Sequence, residues 1–387
     1  MSYGRAWKSL LLALAAVIAF APGGIAGQLE IDVERAAELA VANNPRMKVA
    51  ESDVAIAGES RKQAYRTQAV SVAATHSSSY ADYQKDDIHQ NTFSNGITMS
   101  YPLYSGGGIE NTMKKSDLGY QEQEKALEKV RQDLRMSVAT GFYSMQQKSD
   151  MAKLADESVE RLKAHVENVR IQYENGKVGK ADLLRSEVEL SNGELSRVSA
   201  LNAYAVAVKQ LNSLMGVPLE TELTWSKGMS HEKFPHTLEA CEAFAQKNHP
   251  DFLMAELRVR EAEIDVDIAR GDKRPKANLS ATQNLSSNID SEWPGFREDN
   301  FSIQLVIEYT LLDSGVSSSK IASAKEAVQR AKHDYEATRD SIFLSVNSDF
   351  MGIMEAERRI ELSKDALEDA REAYAIALNR YEEGVGT

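Results

Sequence analysis

FSNGITMSYPLYSGGG, residues 93–108, is the stretch whose reading decides the fold. Phe93, Asn95, Ile97, Met99, Tyr101 and Leu103 fall on one side, and Ser94, Gly96, Thr98, Ser100 and Pro102 on the other. Period two predicts a strand. Gly106-Gly107-Gly108 then turns the chain into a run that reaches Tyr173 with helical spacing and no proline. At 1.5 Å per residue, some 65 residues make a helix roughly 100 Å long. Such length belongs to a coiled coil or a helical tube, not to an ordinary globular core.

The same pattern occurs twice. A shift of 208 residues lays Phe93 on Phe301, Tyr101 on Tyr309, Gly107 on Gly315, Phe142 on Phe350, Tyr173 on Tyr381 and Gly176 on Gly384 without a gap. Two copies of one unit within 387 residues point to one object built from tandem halves. Charged residues make up 27% and aromatics 7%, which suits long solvated helices. A formal net charge of −13 argues against nucleic acid as a partner. The lone cysteine, Cys241, permits no internal disulfide.

Residues 1–27 read as a secretory signal peptide: Arg5 and Lys8 precede the apolar run Leu10–Phe20, and small residues follow to Gly27. No later segment has the roughly 18 apolar residues of a transmembrane helix, so any membrane contact must be through strands. The first repeat occupies 28–216. It has an amphipathic helix over Leu29–Asn43 and a second helix from Pro45. Strands follow at about 70–83 and 92–104, joined by a polar loop over Gln84–Asn91. A long helix covers about 109–174 and a return helix about 180–215. Residues 217–236 contain Pro218 and Pro235 and read as a linker. The second repeat occupies 237–387, with a short helix whose Cys241 and Phe244 are expected to face its core. Its strands lie at about 277–287 and 300–312 and its long helix at about 316–382. Copy one continues past its tip into a return helix and copy two does not, so the chain is expected to be truncated.

The first long helix carries a 3-4 seam, Ala152, Ala155, Val159, Leu162, Val166, Val169 and Tyr173, repeated at Ile360, Ser363, Leu367, Ala370, Tyr374, Ala377 and Tyr381. Glu157, Glu160, Arg161 and Lys163 between the seam positions read as a solvated face. The strands alternate apolar and polar, the pattern of a membrane barrel with lipid outside and water inside. Four strands cannot close, and open edges are not tolerated in hydrocarbon, so closure requires several chains. The triple glycine lacks the Gly-Lys-Ser/Thr of a phosphate loop and reads as a bend. No His-Glu-x-x-His, nucleophile elbow or dinucleotide fingerprint appears, so no catalytic, cofactor or metal site is expected. The rival to a membrane duct is a soluble periplasmic coiled-coil adaptor or scaffold.

The Pro45 and Pro250 helix starts, the Tyr101-Pro102-Leu103-Tyr104-Ser105-Gly106-Gly107 transition and the Tyr-x-x-Gly tips at Tyr173–Gly176 and Tyr381–Gly384 carry a resemblance. The chain resembles the TolC family of outer-membrane efflux and secretion ducts. This implies a mainly α fold with a membrane β-barrel portion, two tandem repeats, and a homotrimer joined in one α/β barrel. It implies a passive gated duct in the outer membrane that extends into the periplasm. Its partners would be outer-membrane lipid, a periplasmic membrane-fusion adaptor and an inner-membrane transporter of the RND or ABC type. The resemblance places the periplasmic tip, gate and adaptor contact at Gly176, Lys177, Val178, Gly179, Asp182, Gly384, Val385, Gly386 and Thr387. The strand-to-helix transition falls at Pro102, Gly106, Gly107 and Gly315. In the family the Asp182 position helps hold or line the closed entrance; a carboxylate there also suits the first turn of the return helix. Gly386 stands where some members carry an arginine that pairs across protomers.

Overall fold

A computed structural model describes residues 29–83, 88–226, 228–289, 298–383 and 385. The expected signal segment, the hairpin-loop residues 84–87 and 290–297, and tip residues Gly384, Gly386 and Thr387 lie outside them. The order begins with β1 (Leu29–Glu30), α1 (Val33–Asn43), α2 (Pro45–Arg66), β2 (Ser71–Tyr83), β3 (Ile88–Tyr104), α3 (Gly108–Glu174) and α4 (Lys180–Met215). It continues with β4 (Leu223–Thr224), α5 (Leu238–Asn248), α6 (Pro250–Gly271), β5 (Lys276–Ile289), β6 (Glu298–Glu308) and α7 (Val316–Glu382).

Three helices of the first repeat match the three of the second in length. α1 and α5 each have 11 residues, α2 and α6 each 22, and α3 and α7 each 67. Their caps match too. The Asn44 side chain accepts from the Arg46 amide, and His249 at the equivalent place accepts from the Asp251 amide, each ahead of a proline in the first turn.

The chain divides into two compact units. The first holds residues 29–40 with Ser137–Met229. Within it, the C-terminal part of α3 packs on α4. Ala152, Val159, Val166 and Val169 are buried along the seam. A Cβ on Gly193 of α4 would stand 2.7 Å from the Leu162 side chain, so the two helices approach closely there. Gly216 closes α4 in the left-handed conformation, at φ +69. Fully buried Asn212 donates to the carbonyls of Leu219 and Thr221 at 3.1 and 2.8 Å, tying the chain beyond α4 to that helix. That chain then forms β4, which pairs in parallel with β1. This corrects two expectations. Leu29–Glu30 is strand rather than the start of the first helix, and the linker holds a strand. A two-residue bridge is too short to leave a period in sequence.

The second unit holds Val41–Met136 and the residues from Ser230 onward. Its sheet is antiparallel with order β2-β3-β5-β6, so the hairpins of the two repeats join through β3 and β5. Among the described residues, the outer edges, β2 and β6, have no further strand beside them. Beside the sheet, α3 and α6 are linked by ion pairs between Lys115 and Asp265, Glu122 and Arg258, and Lys129 and Asp251, each at 2.7 Å. The pairs recur every seven residues on both helices. Exposed pairs of this kind are worth at most about 1 kcal/mol each; here they fix the helix register. A smaller core gathers Ala245, Phe252 and Ile342.

Other expectations are corrected in this unit. Phe244 is 69% exposed and Cys241 only half-buried, because α5 turns Ala245 inward instead. β3 begins at Ile88, inside the expected loop. β6 ends at Glu308, four residues before the end predicted by its alternation. The copy-two seam on α7 is exposed from Ile360 to Ala377, since nothing among the described residues covers it.

Candidate functional site

Three features are candidates: the sheet, the turns that join it to the long helices, and the tip between α3 and α4. In the sheet, register aligns side chains into rows. Ser71, Ser100, Ser280 and Gln304 form one row, and Thr98, Thr282 and Ser302 lie in the next with Ala73. Hydrogen bonds cross this face: Ser94 to Asn284 at 2.8 Å, Thr98 with Thr282 at 3.2 Å, and Ser100 with Asn278. On the other face Val72, Met99, Ala281 and Ile303 align, flanked by a row of Tyr101, Leu279 and Leu305. Ser94, Thr98 and Ser100 are half-buried, whereas Ile97 and Met99 are 56% and 48% exposed. Toward the hairpin ends the apolar face is interrupted by a row of His76, Asn95, Leu285 and Asp299.

The transition residues Pro102, Gly106 and Gly107 are brought together at the other end of β3. Pro102 lies beyond the β2 pairing and beside a register shift between Pro102 and Tyr104, a place that tolerates a missing N–H. Gly106 and Gly107 have φ of +69 and +87. A Cβ on Gly106 would sit 2.5 Å from the Gly271 carbonyl oxygen at the end of α6. Arg274 donates to the Gly106 carbonyl at 3.3 Å. Gly315, the copy-two counterpart of Gly107, has φ +88 with open space around it.

Sequence reasoning missed the residue that starts each long helix. The Ser105 hydroxyl accepts from the Ile109 amide at 2.9 Å. The equivalent Asp313 accepts from the Gly315 amide at 3.0 Å and the Ser317 amide at 2.7 Å. A small oxygen-bearing side chain at matched places in both copies was the available signal. Gly271 and Arg274 had no such signal, because the matched positions of copy one carry different residues. Hydrogen bonding from the Ser317 hydroxyl and amide, aided by Lys273, holds the Asp313 carboxyl below its ordinary pKa. The cap is therefore complete above the pKa of an unfolded carboxylate and is lost as pH falls through the lowered one. Asp313→Asn is expected to keep the cap and remove this part of the acid-unfolding profile. A profile identical to that of the parent protein would contradict the assignment.

At the tip, Gly176 has φ +71. Its amide donates to the Tyr173 carbonyl at 2.9 Å and the Lys177 amide to Gln172 at 2.8 Å, a Schellman closure of α3. Lys177 and Val178 cross to Gly179, which precedes α4 without a side-chain cap. The Asp182 amide returns to the Gly179 carbonyl at 3.0 Å, and the Asp182 side chain is exposed in the first turn. One turn thus brings Gly176, Lys177, Val178, Gly179 and Asp182 together. At the end of α7, the Val385 amide donates to Arg380 at 2.9 Å, the same bond one repeat later.

The family model described as outer membrane efflux protein matches residues 36–217 and 244–387. Protein CyaE of Bordetella pertussis is 24% identical over 362 residues, covering 91% of this chain and 75% of its own. A probable efflux pump outer membrane protein of Pseudomonas putida, TtgC, is 21% identical over 309 residues, 76% of this chain and 63% of its own. This chain therefore spans between three fifths and three quarters of these relatives' lengths. Among solved structures, the CmeC outer membrane channel of Campylobacter jejuni superposes with TM-score 0.78 at 16% identity, over 92% of this chain and 77% of that one. The outer membrane protein VceC of Vibrio cholerae gives 0.73 at 17% identity, over 92% and 87%. These likenesses show a shared fold.

Proposed function

The chain belongs to the outer membrane efflux protein family, and we propose that it supplies one part of a passive outer-membrane duct completed by further copies of itself. The observation that carries this reading is the sheet of β2, β3, β5 and β6. One face is polar and internally hydrogen-bonded, the other is apolar and bare, and both edges are free. In water the bare face costs free energy; in lipid it is satisfied, provided that every strand edge is paired. The His76–Asn95–Asp299 row marks where the apolar band ends, because a carboxylate does not belong in hydrocarbon. Tyr101, Tyr104 and Tyr309 stand toward the helical end, and Tyr80 and Phe93 toward the hairpins, where aromatic girdles would lie.

Assembly as a homotrimer would also give partners to apolar stripes left exposed on the helices. Leu184, Val188, Leu195 and Val198 lie along α4, and Leu367 and Tyr374 along α7. No helix among the described residues is long and apolar enough to cross a membrane; the membrane is left to the strands. The tip of Gly176–Gly179 and Asp182, with its counterpart at Gly384–Thr387, would form the periplasmic entrance and meet an adaptor bound to an inner-membrane transporter of the RND or ABC type. Efflux and protein secretion would use the same duct, since a wide polar lumen selects weakly.

A gate residue and a duct can be tested together. In planar bilayers the protein is expected to form a cation-preferring pore of low conductance, because symmetry would set Asp182 in a ring. Asp182→Ala is expected to change conductance or cation preference. Absence of any channel current contradicts the duct; unchanged single-channel behaviour in Asp182→Ala leaves that residue only its place in the helix's first turn.

A further inference from the structure

Between two rungs of the α3–α6 ladder stands a carboxylate that helix packing does not call for. Lys115 pairs with Asp265, and Glu122 with Arg258 at the next rung. Gly119 of α3 and Glu261 of α6 fall midway between these pairs. A Cβ on Gly119 would lie 3.5 Å from Oε1 of Glu261, so the half-buried carboxylate rests against the backbone of α3. Among the described residues Glu261 has no hydrogen bond and no cation within ion-pair distance. The two cations nearby, Lys115 and Arg258, are already engaged on Asp265 and Glu122. In the first repeat the matching place on α2 holds Ile56, and Gly119 is matched by Ala327 on α7. An apolar side chain serves that helical position equally well, so the carboxylate is a feature of the α3–α6 interface alone.

The charges around it do not balance. Glu122, Glu261 and Asp265 face Lys115 and Arg258, and one negative charge is left over. Glu122 is itself well covered, with a side chain 15% exposed. The other neighbours of α6 lie elsewhere along it. Lys325 of α7 shares a separate groove with Glu263, Asp267 and Arg270, and α5 meets α6 at Phe252, near its N-terminal end. Burial raises the Glu261 carboxyl above its ordinary value; Glu122 and Asp265 add to this, and Lys115 and Arg258 oppose it.

We propose that Glu261 is a proton-operated spacer between α3 and α6: neutral, it lies against Gly119 and the helices close; ionised, it draws water and is repelled by Glu122 and Asp265, and the interface loosens between the two rungs. The sign follows from linkage. A carboxyl raised in the folded chain holds its proton more tightly there than in the unfolded chain. Its stabilisation is full below the unfolded-state value and is lost as pH rises through the raised one. Asp313 acts in the opposite sense, at the acid end. Because both helices belong to one chain, the device does not depend on the duct reading.

Amide hydrogen exchange of the full chain in detergent tests it, at about pH 5 and about pH 8 with intrinsic rates divided out. In the parent protein, amides of residues 115–122 and 258–265 are expected to exchange several-fold faster at the higher pH. Glu261→Gln and Glu261→Ile are expected to exchange slowly at both. Glu263→Gln, which alters an exposed carboxylate on the same helix, is expected to keep the parent's difference. Equal protection of the parent at both pH values overturns the proposal. A parent-like difference in the two Glu261 variants also overturns it, by assigning the loosening to other groups. Fast exchange at both pH values in those variants overturns it too, by making Glu261 a packing residue.

Discussion

Met99→Arg is expected to prevent stable insertion of the sheet. Met99 stands in the middle of the apolar face, between Val72 and Ala281, with Ile303 beyond. An arginine on the lipid side of a membrane strand costs about 2–4 kcal/mol near the bilayer midplane. In the proposed barrel of several copies, the substitution repeats in every copy and the penalty repeats with it. Its neighbour supplies the comparison. Thr98 points to the polar face, where its hydroxyl meets that of Thr282 at 3.2 Å. Thr98→Arg loses that contact, worth about 1 kcal/mol, and places its charge in water. Urea titration of protein refolded into lipid vesicles reads both effects. The expected order is a large loss for Met99→Arg and a small one for Thr98→Arg. The reverse order would mean that the faces have been assigned the wrong way round.

Gly106→Val is the second large effect. A side chain at φ +69 pays about 1–2 kcal/mol for the left-handed conformation. Its Cβ would also overlap the Gly271 carbonyl, 2.5 Å away, and overpacking against backbone adds about 1–3 kcal/mol. The end of α6 cannot retreat freely, because Asp272 is held by Lys276 and Lys320, each at 3.1 Å. Gly108→Ala is the comparison. Gly108 is not among the residues with positive φ, and a Cβ there would have its nearest neighbour 3.9 Å away. Thermal unfolding of the detergent-solubilised protein is expected to show Gly106→Val strongly destabilised and Gly108→Ala close to the parent. Equal stability of all three would remove the claim that the sheet-to-helix turn is a fixed joint.

The triple glycine illustrates how much the sequence could say. It announced a bend, and two of the three glycines adopt the conformation that a bend requires. Which two, and that Gly106 also touches Gly271, depends on a contact between residues more than 160 positions apart. The alternation in β3 was legible because from Ile97 to Leu103 one face is apolar and the other is not. The end of β6 was not, because strand length depends on a neighbour to pair with, and the isolated edge has none. The seam on α3 could be read, and Ala152, Val159, Val166 and Val169 of it are buried, whereas Tyr173 at its end is exposed. The matching seam on α7 could be read equally well and is bare, because periodicity records what a helix is suited to cover, not what covers it. Caps at Ser105 and Asp313 escaped notice because a serine and an aspartate look unrelated until their amide partners are seen.

Among the tip residues, glycine after a long helix is the sequence signal for the left-handed closure found at Gly176. Its repetition at Val385 follows from the repeat. Asp182 stands exposed in the first helical turn, where both a gate role and a favourable place in the helix dipole remain physically consistent with its position.

The central claim is that the free edges of the sheet are closed by other copies within a lipid-facing wall. The native mass of the protein extracted from outer membranes, measured with bound detergent subtracted, tests it most directly. Three chains per particle, lost on heating and insoluble once detergent is withdrawn, is the predicted result. A single chain that remains soluble without detergent would contradict it.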